Sequence, residues 1–158
     1  MNDPISCIQA CEFLYLHSIS EPEEGGVRLV IHEARTGEQV NAEVLDSEPL
    51  AEVKKILAQS SAIVHSPGCK VFTLTWAKYI GYCVENESFA LPEPDSSEYE
   101  GRLLRVYTKS VYLNYLARSS FATPDYPGPF RHYCVLCLDH IVNVASTQAP
   151  TILVSDDA

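Results

Sequence analysis

Between residues 26 and 35 the chain reads GVRLVIHEAR, with Val27, Leu29 and Ile31 on one face and Arg28 and His32 on the other. A period of two marks a half-buried strand. CEFLYLHSI (residues 11–19) is rich in aromatic and branched residues and predicts a strand before it, with EPEEGG making the turn. Thr36-Gly37 predicts a second tight turn, and EQVNAEVL then resumes the alternation through Val40, Ala42 and Val44. Together these segments predict a three-stranded antiparallel meander.

The period changes at Ser47. SEPLAEVKKILAQS offers a Ser cap, an early Pro, Glu48 and Glu52 near the start, and Lys54 and Lys55 further on, all suited to a helix dipole. Leu50, Val53, Ile56 and Leu57 form an apolar stripe, so a helix is predicted near 48–59. SAIVHS stops at Pro67-Gly68, KVFTLTW alternates Phe72, Leu74 and Trp76 against Thr73 and Thr75, and IGYCVENES continues a second set of strands. LPEPDSSEYEG and FATPDYPGPF read as loops, RLLRVY as a short strand, and KSVYLNYLARS as a short helix starting near Thr108 or Ser110. RHYCVLCL and HIVNVAS predict strands broken near Asp139, and TILV predicts an edge strand. Strict strand–helix alternation is missing. The expected fold is therefore α+β, a curved, mainly antiparallel β-sheet packed with one or two α-helices, with a partly closed barrel as its variant.

Composition bounds this picture. The 158 residues, 46% hydrophobic and 20% charged, predict a single globular domain over 1–158. No window reaches the ~18–20 apolar residues of a membrane span. MNDPISCIQA lacks the basic-then-apolar pattern of a secretory signal, so the expected location is cytoplasmic, with six reduced cysteines. A net charge of −10 argues against nucleic acid or an anionic membrane as partner. Residues 1–52 hold eleven of the acids and only two of the bases. Elements close in sequence tend to be close in space, so Glu21, Glu23, Glu24, Glu33, Glu38, Glu43, Asp46 and Glu48 are candidates for one negative face that steers a basic partner.

Reactive chemistry is weakly signalled. H-Y-C-V-L-C-L-D-H, from His132 to His140, invites a metal or redox reading, but on a strand Cys134 and Cys137 face opposite ways. Cys7 and Cys11 lack flanking ligands, so no metal or cofactor is expected. A thiol nucleophile would need Cys69 or Cys83 served by His65 or His132, without a supporting motif. Within VENES, Glu85 and Glu87 would share a strand face about 7 Å apart, the spacing of paired carboxylates. Trp76, Tyr79, Tyr82, Tyr107 and His132, with Glu85, Asn86 and Glu87, outline a candidate pocket near 76–88 and 132–140. Seven glycines form no phosphate loop. The expected function is a non-catalytic protein-binding module, of inhibitor or immunity type, that sets its acidic face against a basic protein. The alternative is a small-molecule binder or hydrolase built on the aromatic pocket. Oligomeric state carries no signal in the sequence.

Overall fold

The alternating segments form two five-stranded antiparallel sheets in a computed structural model that describes residues 3–39 and 42–156, with side chains for all of these except 42–44. In the first sheet the order is β1 (Phe13–Ser20), β2 (Val27–Gln39), β4 (Lys70–Trp76) and β10 (Thr151–Asp156), and β3 (Ser61–Val64) pairs with the far part of β2. In the second the order is β5 (Gly81–Asn86), β9 (His140–Ser146), β8 (Arg131–Leu136), β7 (Leu104–Lys109) and β6 (Glu98–Glu100). The fold is α+β, and its two sheets remain separate rather than closing into a barrel.

The core follows from the period-two pattern. Leu14, Val27, Leu29, Ile31, Phe72, Leu74 and Trp76 of the first sheet meet Leu104, Tyr133, Val135, Val142 and Val144 of the second. Trp76 is 0% exposed, and its ring centroid lies 5.7 Å from that of Tyr133 on the opposing sheet. Its indole N–H is buried and finds no hydrogen-bond partner among the described residues.

A short helix that the periodicity did not foretell, α1 (Pro4–Ala10), adds Ile8 to this core. Asp3 caps it through Ser6 N, and a proline stands in its first turn. Gln9 ties α1 to the start of β7. Its Oε1 accepts from the amides of Arg102 and Leu103, both at 2.8 Å, and its Nε2 donates to the Leu104 carbonyl at 2.5 Å. The Arg102 guanidinium in turn donates to the carbonyls of Gln9 and Cys11.

Two local expectations are corrected. Thr36-Gly37 is not a turn: β2 runs through it to Gln39, and the predicted third strand is replaced by the helix α2 (Ala42–Ser47). The Glu12 carboxylate holds the Thr36 amide and hydroxyl in the extended strand. Gly37 is there to let β3 approach, since a Cβ would stand 3.1 Å from both the Ala62 carbonyl oxygen and Val64 Cγ2. Val40 lies outside the described residues, as do the side chains of Ala42, Glu43 and Val44. The second correction concerns the next helix, α3 (Ala51–Leu57), which is shorter than 48–59 and starts at Leu50 without a side-chain cap. The Glu48 carboxylate, rather than Ser47, accepts from the Leu50 amide. The α3 stripe buries none of its residues, and Ile56 remains 66% exposed. Among the described residues no helix is long and apolar enough to cross a membrane.

This contrast predicts the outcome of truncation. Trp76→Ala opens a cavity between the sheets and should cost about 3–5 kcal/mol in denaturant unfolding. Ile56→Ala should stay within about 0.5 kcal/mol of the parent.

Candidate functional site

The two middle strands of the second sheet, β8 and β9, are buried on both faces, and this creates the most polar interior of the molecule. One face sends Tyr133, Val135, Val142 and Val144 into the core. The other carries His132, Cys134, Asn143 and Ala145, in register with Tyr107 and Arg105 on β7 and with Gly81 and Cys83 on β5. A nine-residue helix, α4 (Val111–Ser119), lies over this outer face. Gly81 makes its seat, since a Cβ there would meet Leu116 Cδ2 at 3.1 Å and the Tyr112 hydroxyl at 3.2 Å.

Ser110 caps α4 by accepting from Leu113 N at 3.0 Å, and its hydroxyl donates to His132 Nδ1 at 2.9 Å. The tautomer follows from these partners. His132 Nε2 carries the proton and donates to Asn143 Oδ1 at 2.8 Å, and Asn143 Nδ2 donates to Glu85 Oε1 at 2.9 Å. Every donor thus points the same way, from the helix cap to the carboxylate, and the bonds polarise one another. Tyr107 lies flat on the imidazole at 4.5 Å and Tyr112 stands edge-on at 5.0 Å. Beyond Tyr107, its hydroxyl donates to Glu93 at 2.8 Å, and Arg105 reaches both that hydroxyl and the Tyr99 ring.

Serine, histidine and asparagine in sequence suggest a nucleophile and its base, but the energetics oppose that role. Burial drives the His132 pKa down to about 4, against the opposing pull of its Asn143 bond, and both ring nitrogens are occupied. Such a weak base takes a hydroxyl proton poorly at neutral pH. A cleft of about 290 Å³ beside Ser110 is lined by Thr108, Lys109 and Leu113 but not by His132. The chain of bonds therefore fastens α4 to the sheet.

The predicted thiol pairs do not meet. Cys83 Sγ lies 3.6 Å from Asn143 Nδ2, and burial pushes its pKa up. Cys69 is buried near Ser66, whereas His65 Nδ1 donates to the Glu33 carbonyl. Burial raises the thiols of Cys134 and Cys137 to about 12. Among the described residues no group of three His, Cys, Asp or Glu side chains is arranged to hold a metal ion.

Other pocket candidates are corrected as well. Trp76 belongs to the core between the sheets. Glu85 and Glu87 do not share a strand face, because β5 ends at Asn86 and Glu87 begins a 3-10 turn capped by the Asn86 side chain.

Tyr79 and Tyr82 lie at a different place, where a second constellation forms. Their hydroxyls both donate to Glu21 Oε1, at 2.9 and 3.0 Å, and their rings meet edge to face at 5.1 Å. The bond to this carboxylate raises both phenol pKa values. Tyr79 N also donates to the Gly25 carbonyl, which fixes the β1–β2 turn bearing the exposed Glu23 and Glu24.

No family model, curated protein or solved structure matches this chain.

The remaining acids do not extend this corner into one face. Glu38 stands near the far end of β2, whose 13 residues span about 40 Å from the Glu21 corner, and Asp46 and Glu48 follow it in sequence. Asp46 pairs with Lys54 at 2.9 Å, and the Glu43 side chain lies outside the described residues. Glu33 is no surface acid, being 5% exposed, bonded to Arg35 and accepting from Lys70 N at 2.8 Å. Glu33 is thus removed from any acidic surface, and Glu38 stands well away from the Glu21 corner.

Ser110 and Asn143 escaped the sequence reading as partners of His132. The signal was present in HIVNVAS, where Asn143 interrupts an otherwise apolar, doubly buried strand.

His132 gives the site a pH signature. An unfolded imidazole binds its proton near pH 6.5 and the folded one only near 4, so the unfolded chain holds more protons between these values. Its contribution is complete above pH 6.5, and about 3 kcal/mol is lost as the pH falls to 4. Unfolding titrations of the wild type and His132→Gln should show that extra acid slope in the wild type alone.

Proposed function

We propose that this protein is a non-catalytic binding module that docks a basic protein at the corner formed by Glu21, Glu23, Glu24, Tyr79 and Tyr82. One observation carries the reading: a single exposed carboxylate oxygen is gripped by two tyrosine hydroxyls. Held this way, Glu21 has little side-chain freedom left to lose on binding, which lowers the cost of association. A lysine or arginine of the partner takes its second oxygen, and the Tyr rings supply area beside it, as acid-and-aromatic anchors do at interface centres. Glu23 and Glu24 steer the approach, and occupation of the partner's own working surface is the mechanism, in the manner of an inhibitor or immunity-type protein. A cytoplasmic setting belongs to the same proposal.

The test places a photo-crosslinking amino acid at Lys78, next to the corner, in the native host. A basic protein should be captured, and Glu21→Gln/Glu23→Gln/Glu24→Gln should abolish its capture. Association with the purified partner should slow by about tenfold or more from low to high salt. Capture that survives the triple substitution, or a rate indifferent to salt, overturns the reading.

A further inference from the structure

Five strands pair on one side only among the described residues, and they are not alike. β3 has only four residues and pairs through a register shift. β1 is broken by a bulge between Leu16 and Ser18. β6 has only three residues, two of them glutamates, and β5 runs into Glu85 and a 3-10 turn. Bulges, brevity and charge are the usual defences of an edge whose amides and carbonyls would otherwise pair with another chain.

β10 has none of them, although the short helix α1 lies near it. It pairs with β4 through six consecutive residues, from Thr151 opposite Thr75 to Asp156 opposite Lys70, without irregularity. It contains no proline, lysine or arginine, and Asp156 at its end is its single charge. Among the described residues no strand takes its other edge, and five of its six residues are exposed. Leu153, at 66% exposure, stands on the sheet's outer side and Val154, at 38%, on the core side.

We propose that β10 is the edge through which two copies of this chain pair, antiparallel across a twofold axis, joining their first sheets into one. The register follows from the residues. With the axis at Leu153, Leu153 faces Leu153 of the second copy on the outer side and Ile152 faces its Val154 on the core side, since a twofold axis normal to the sheet keeps every side chain on its own face. Thr151 then faces Ser155 of the second copy, hydroxyl beside hydroxyl. The two Asp156 residues lie at opposite ends, about 20 Å apart. Shifting the register so that the Asp156 ends overlap would bring like charges together. An isologous contact of this kind closes on itself and leaves no β10 edge for a third copy.

The net charge of −10 on each copy opposes this pairing, so added salt should strengthen it, the reverse of its effect on a basic partner. The two proposals therefore fail separately. Sedimentation of the full chain over a micromolar-to-millimolar range, at low and high salt, should show a monomer–dimer equilibrium that favours the dimer at high salt. Leu153→Lys should weaken it by about tenfold or more with an unchanged unfolding midpoint, because the side chain is exposed in the monomer. Leu153→Cys should form a disulfide-linked dimer under mild oxidation and Val154→Cys should not, reporting the register. A wild type that stays monomeric throughout, or a Leu153→Lys chain that dimerises as well as the parent, overturns the proposal.

Discussion

Burial of β8 and β9 on both faces is the constraint from which the rest of the molecule follows. A strand covered on one side only needs apolar residues at alternate positions, and the first sheet largely obeys that rule. β8 and β9 must also satisfy whatever they place beneath α4. His132 and Asn143 sit there at 3% and 5% exposure, where an unbonded polar group costs ~1–3 kcal/mol. The cap of α4, the imidazole, the amide and Glu85 resolve this together, so helix placement and sheet interior form one cooperative unit. The small residues Gly81 and Ala145 beside them let the helix settle close to the strands.

Much of the architecture was legible in the alternation of side chains. Val27, Leu29, Ile31, Phe72, Leu74 and Trp76 point into the core as the period of two requires. Ser110 was readable as a helix start because a hydroxyl there can accept from the third amide. The failures share a cause: contacts from distant segments overrode local preference. Thr36-Gly37 has the composition of a turn, yet Glu12 and β3, 24 residues upstream and about as far downstream, hold it extended. The α3 stripe has helical spacing, yet none of its residues is fully buried.

The site was legible only in its parts. Glu21, Tyr79 and Tyr82 were each conspicuous, but their convergence depends on a bond between residues 58 and 61 positions apart. Glu33 looked like its acidic neighbours and proved to be an internal partner of Arg35 and the Lys70 amide. Charge counted along the chain records how many carboxylates there are. It does not record which have already been engaged by the fold, and that decides which of them face a partner.

Trp76 is the only tryptophan of the chain, and it stands between the two sheets with Tyr133 of the opposite one against it. Separation of the sheets must move the indole from hydrocarbon into water. Its fluorescence is therefore an intrinsic gauge of that event, needing no label, while fraying of the remote α3 segment leaves the emission unchanged.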